Sequence, residues 1–227
     1  MPTAREALLD AALSALATLP WTSVRMVDVA YAAGVSRQTL YNEFGGKDGL
    51  ARALVRDAAD GYLAGVERAL GSAGGTEDGL AAVAAWTVRA VRTNVLVKAL
   101  LTGCWSERLP RPAPSAAGCA SPVPGRRRAD PGPPTPAELL RRAGERAVAA
   151  FDGGRPTHDP EALAVTCEIA LRLALSYALV PAPSGAEGET APLVRHVVAG
   201  APGAVSGTSP RAGARSPRES PGRSRPA

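Results

Sequence analysis

Apolar residues in the first third of the chain recur with helical rather than alternating spacing. Leu9, Leu13 and Leu16 fall at i, i+4 and i+7, marking one face of a first helix. Pro20 ends it, because proline restricts the residue before it and lacks a backbone donor. Met26, Val29, Ala30 and Ala33 repeat the pattern over a short second helix, which Gly34 interrupts. A third helix opens at Ser36 and carries Leu40 and Phe44 up to the Gly45-Gly46 break. The fourth, over 47–70, aligns Leu50, Leu54, Ala58, Tyr62 and Val66. The two middle helices are too short to bury much surface alone, so helices one and four must serve as their platform.

Residues 77–103 read as one long apolar helix through Val83, Trp86, Ala90, Val91, Val97 and Leu101. Residues 104–134 lose the period, are rich in Pro, Gly, Ser and Ala, and include Arg126, Arg127 and Arg128; this composition predicts a disordered loop. Helical patterning returns over 135–199. Pro136 precedes Leu139, Leu140, Ala143, Ala147 and Phe151, and a further helix starts at Pro160 with Thr157 or Asp159 as cap. Its stripe of Leu163, Cys167, Ala170, Leu171, Ala174, Leu175 and Ala178 suits close packing against a symmetry mate, with an internal core helix as the alternative. Leu193–Val198 adds a further turn or two, and 200–227 decays into a disordered Arg/Pro-rich tail.

Composition fits this pattern. Hydrophobic residues make up 45% of the 227 and aromatics only 4%, so the core is built from Ala, Leu and Val and the fold class is all-α. The net charge of +5 invites a nucleic-acid argument, but its location removes it. Residues 200–227 carry net +4 and residues 104–134 net +3, which leaves −2 for the rest. DNA binding must be argued from local geometry instead. The cysteines at 104, 119 and 167 form no CxxC and no close Cys/His spacing, so neither a disulfide framework nor a metal site is expected. No continuous apolar run approaches a membrane span and residues 1–20 do not resemble a secretory signal, so the expected location is cytoplasmic. Neither HExxH, GxSxG nor a P-loop occurs, and no enzyme activity or cofactor is expected. His158 and His196 read as solvated. Trp86, Trp105, Tyr177 and residues near Val97 suit a pocket lining and a core equally, so the ligand residues stay unassigned.

The segment Ala30–Tyr41 meets the mechanical demands of a helix-turn-helix. Ala30 is small where two helices cross, and Gly34 can take the positive φ that ends a helix sharply. Val35 points inward, and Ser36 suits the N-cap of the next helix. Leu40 and Phe44 hold that helix down, leaving Arg37, Gln38, Thr39 and Asn42 on display. Arg can fork onto guanine, Gln or Asn onto adenine, and the Thr methyl can meet that of thymine. Lys47 and the amides around Gly46 suit a phosphate grip, with Asp48 favouring the helix start through the dipole. An exposed Arg, Gln or Asn taken singly is ordinary helix surface; the arrangement carries the reading.

The run Val29-Ala30-Tyr31-Ala32-Ala33-Gly34-Val35-Ser36-Arg37-Gln38-Thr39-Leu40-Tyr41-Asn42-Glu43-Phe44, followed by Lys47 and Leu50, resembles the TetR family of transcriptional regulators. The resemblance covers roughly residues 5–66. It implies a helix-turn-helix DNA-binding domain over 1–47, with helix four, 47–70, as the connection. A helical ligand-binding and dimerisation domain over 48–199 would follow. It also implies a homodimer, joined here through 159–180, that represses from an inverted-repeat operator in answer to an unknown small-molecule effector. Base or adjacent backbone contacts are implied for Arg37, Gln38, Thr39 and Asn42, and a phosphate contact for Lys47. Tyr41 matches a tyrosine lying on the sugar-phosphate backbone, although packing between helices three and one suits it too. The family commonly has Thr where this chain has Arg25; the cap is then lost unless Ser23 supplies it, and Arg25 becomes a backbone-contact candidate. A helical interaction module without DNA binding is the competing reading.

Overall fold

The computed structural model describes residues 3–111, 134–151, 160–180, 192 and 194–196. Every regular element among them is helical: α1 Ala4–Thr18, a 3-10 turn Trp21–Ser23, α2 Met26–Ala32, α3 Arg37–Phe44, α4 Lys47–Gly71, α5 Thr76–Thr93, α6 Val95–Thr102, α7 Pro136–Phe151 and α8 Pro160–Leu179. A reciprocal capping box opens α1. Thr3 accepts from the Glu6 amide at 3.2 Å, and Glu6 accepts from the Thr3 amide at 2.7 Å. Leu8, Leu9, Ala12 and Leu16 form its buried stripe, and Leu13 lies only partly within it.

Helix α4 is the spine. It packs on α1 and α3, and it also lies against α5, α6 and α7. Leu50, Leu54, Ala58, Tyr62 and Val66 are all buried, as their spacing predicts. Tyr62 is the largest of the fully buried side chains; its hydroxyl lies 3.1 Å from Thr87 Oγ1, and burial pushes its phenol up to about 12. The Cys167 thiol from α8 is likewise pushed up to about 11 by burial, which keeps it protonated and inert.

Four expectations are corrected. The single helix over 77–103 is two, with α5 and α6 bent by 116°. Asn94 takes an extended conformation between them, and its Oδ1 accepts from the amides of Leu96 and Val97 at 2.9 and 3.2 Å. An apolar run cannot reveal such a break, because both helices are buried. The loop over 104–134 is packed at its start: Pro110 is buried, Trp105 and Leu109 pack against the core, and Arg108 accepts from Trp21. Ser23 does not cap α2, since it belongs to the 3-10 turn, and Arg25, at the cap position before Met26, makes no side-chain cap bond.

The fourth correction concerns α8. Its small-residue stripe of Leu163, Cys167, Ala170, Leu171 and Ala174 is buried, and α8 packs chiefly on α5. That face is internal and unavailable to a mate. By length and composition α8 could cross a membrane, but its buried stripe and its Glu161, Glu168 and Arg172 fit a core helix. Arg126–Arg128, Thr157–Asp159 and 200–227 lie outside the described residues. Of Leu193–Val198, a helical turn at 194–196 is described, with Val194 buried and Arg195 paired with Asp78 at 3.0 Å.

Candidate nucleic-acid interface

The turn between α2 and α3 is built as its residue types demand. Gly34 sits at φ 67°, a left-handed conformation costly for a side-chain-bearing residue. The Val35 amide donates to Ala30 at 3.0 Å, closing the turn where Ala30 is buried. Ser36 caps α3, its hydroxyl accepting from the Thr39 amide at 3.0 Å. Leu40 and Phe44 are buried beneath α3. At the far end, a Cβ on Gly49 would lie 1.7 Å from the Phe44 carbonyl oxygen, so only glycine lets α4 start this close to the end of α3.

With one side fixed, α3 presents Arg37, Gln38, Tyr41 and Asn42 to solvent. Gln38 Nε2 donates to Asn42 Oδ1 at 2.8 Å. The pair therefore keeps a free Oε1 acceptor and free amide hydrogens side by side, complementary to the N6/N7 edge of adenine. Thr39 is partly buried, and its hydroxyl lies 2.8 Å from that of Ser36, so it contributes to the cap. Tyr41 is 49% exposed, so about half of it is open to solvent on this face.

Two cations flank this face, and neither is free. Lys47 Nζ donates to the Thr22 carbonyl at 3.1 Å and sits 5.3 Å from the centre of the Trp21 ring. An ammonium has three donors, so two remain for a phosphate. Arg25 donates to Asp28 through Nε at 2.7 Å and Nη2 at 3.1 Å, and these bonds with the nearby charge raise its pKa further. Its remaining guanidinium hydrogens can still face an anion, although Asp28 opposes its charge.

Sequence reasoning missed two residues here. Arg5 on α1 lies 3.7 Å from Glu43 and 4.9 Å from the centre of the Phe44 ring, tying α1 to the end of α3. No local signal marks it, because the contact exists only after folding. Trp21 could have been suspected, as one of three tryptophans in an aromatic-poor chain. Behind Arg5 the surface is acidic. Asp57 has its pKa raised, first by burial and then by Asp10 and Asp60, with Arg5 opposing. No group of three or more His, Cys, Asp or Glu suited to a metal occurs among the described residues.

Comparison with known proteins agrees with this geometry. Residues 8–54 match the model of the N-terminal domain of bacterial regulatory proteins of the tetR family. The chain is 44% identical over 66 residues to the HTH-type transcriptional regulator AlkX of Mycobacterium tuberculosis; the match spans 29% of this chain and 31% of that relative. The fold resembles a TetR/AcrR-family regulator from Thermobifida fusca YX-ER1 (TM-score 0.53, 15% identity, 86% of this chain and 95% of that one). It also resembles a transcriptional regulator from Streptomyces coelicolor A3(2) (TM-score 0.52, 20% identity, 87% and 99%).

Proposed function

The chain carries the N-terminal DNA-binding domain of the TetR family, and from that premise we propose that it is a sequence-specific transcriptional repressor acting as a homodimer on an inverted-repeat operator. One observation carries the reading: α3 is capped, anchored on one side only, and exposes Arg37 with the Gln38–Asn42 pair on the other. Arg37, Gln38, Thr39 and Asn42 read base edges; Tyr41, Lys47 and Arg25 grip the backbone. A small-molecule effector acting through the helical half belongs to the same proposal and rests on the family alone. A non-DNA-binding interaction module has less support, since it leaves the exposed polar face of α3 without a use.

The homodimer is supported by a groove of about 610 Å³ between α7 and α8. Leu140, Gly144, Val148, Ala164 and Val165 line it, bordered by the Arg141–Glu145 and Glu168–Arg172 pairs. Val165 is 53% and Ile169 44% exposed, an apolar area that a second α7–α8 pair would cover as a four-helix bundle. The mixed charges are self-complementary, as a two-fold interface requires. The segment 159–180 thus stays the interface, but through its outer face and together with α7.

Competition binding to a duplex bearing the preferred site tests the function. Arg37→Ala with Gln38→Ala should relax sequence preference, costing about 1–3 kcal/mol per lost base contact, while Lys47→Ala weakens all sequences alike. Equal losses on preferred and scrambled duplexes for the α3 pair would refute base readout. For the dimer, Val165→Asp should give monomers in sedimentation; an unchanged dimer would overturn the α7–α8 assignment.

A further inference from the structure

Besides α4, a short segment that follows α6 ties the helical half of the molecule to the DNA-binding domain. Gly103, at φ 73°, ends α6 and turns the chain back toward the DNA-binding domain. Residues 104–110 then lie on the core: Leu109 donates its amide to Ser106 at 3.1 Å, Leu109 packs on the core and Pro110 is buried. At Arg108 the segment meets the 3-10 turn, its carbonyl accepting from the Trp21 amide at 2.8 Å. Trp21 is 9% exposed. Its outer neighbour is Lys47, which lies over the ring and bonds the next residue's carbonyl, Thr22.

We infer that Ser106–Pro110 is a positioning strap for the phosphate grip: by holding the backbone at Trp21 it fixes the Trp21–Thr22 shelf on which the Lys47 ammonium rests. A lysine has four rotatable side-chain bonds, and aiming it at a phosphate costs entropy unless a surface holds the stem. The Trp21 ring and the Thr22 carbonyl supply that surface, and both belong to a three-residue turn whose own backbone bonds are two, Ser23 to Pro20 and Val24 to Trp21. The strap supplies a tie from outside the DNA-binding domain. Because it is continuous with α6, a shift of α6 is conveyed to the shelf over Gly103–Arg108, without altering α3. Trp21 and Arg108 are positioning residues here; neither need touch DNA.

The inference rests on Lys47 meeting phosphate, so its test must separate the two. Binding of the full chain to its preferred duplex is measured across salt concentrations for wild type, for Leu109→Ala with Pro110→Gly, for Lys47→Ala and for the combination. Loosening the strap should lower affinity about tenfold and reduce the salt slope by about one per recognition helix, as Lys47→Ala does. The combination should be no weaker than Lys47→Ala alone. Multiplicative losses, or a strap variant with wild-type affinity and slope, would overturn the strap. Failure of wild type to bind any duplex would instead sink the functional reading. Amide exchange gives a measurement independent of DNA: the Trp21 amide should be protected in wild type and exchange at least ~10-fold faster in the strap variant while α4 amides keep their rates. An unprotected Trp21 amide in wild type, or faster exchange throughout α4, would contradict a local tie.

Discussion

Gly65 and Gly61 lie one helical turn apart on α4, and substituting each by alanine should move stability in opposite directions. Glycine in a helix interior costs about 0.5–1 kcal/mol relative to alanine, so both replacements gain that amount from the backbone. At Gly61 nothing lies within 4 Å of an added Cβ, and the gain stands. At Gly65 the Cβ would fall 2.1 Å from Trp86 Cε2, well within contact distance of the indole. The ring cannot retreat freely, because its Nε1 donates to the Tyr62 carbonyl at 3.0 Å. Overpacking of this kind costs about 1–3 kcal/mol, and the lost hydrogen bond about 1 kcal/mol more. Gly65→Ala should therefore be destabilising by roughly 1–3 kcal/mol net, and Gly61→Ala stabilising by up to about 1 kcal/mol. In a domain of this size that corresponds to a fall of roughly 2–12 °C in Tm for the first and a rise of a few degrees for the second. Thermal and urea unfolding read both, and the Trp86 emission should shift only in Gly65→Ala. Equal stabilisation by the two would refute the close α4–α5 contact on which the spine is built.

Other outcomes follow from the same contacts. Ser36→Ala removes the α3 cap and should cost about 1 kcal/mol, with Ser36→Asp restoring most of it; unfolding of the two variants compares them. Arg5→Ala leaves Glu43 unopposed on the recognition helix and should weaken DNA binding at low salt. Adding Glu43→Gln should restore it, and no restoration would show that Arg5 serves only packing. Asp57 has a raised pKa, so the folded state favours its protonated form. Its contribution to stability is present below the unfolded pKa and is lost as pH rises through the folded one. Asp57→Asn should raise Tm at pH 7 by more than at pH 3.5, and an equal effect at both would contradict the acidic cluster.

The DNA-binding half was legible because its signals are local. A glycine required by a left-handed turn, a serine at a cap and a period-3.6 stripe each act within a few residues. Gly34, Ser36 and the Leu50–Val66 face hold the positions their types predict. What sequence left hidden depends on faces meeting at distance. The apolar stripe on α8 could not reveal whether α5 or a second chain covers it, and α5 does. The apolar residues Val165 and Ile169 lie off that stripe and face outward. The break at Asn94 is hidden because a polar residue inside an apolar run resembles an exposed helical position. The Trp21–Arg108 bond joins two backbones, which no side-chain pattern records.

The central claim is that the exposed face of α3 reads a DNA sequence. Repeated selection of the full-length protein on a duplex pool with a random core tests it most directly. Enrichment is expected for an inverted repeat whose half-sites lie about one helical turn, ~10 base pairs, apart or a multiple of it. The Arg37→Ala, Gln38→Ala pair should select a degenerate version of that site. A pool that stays random at low salt, or a pair variant that enriches the wild-type sequence unchanged, would contradict it.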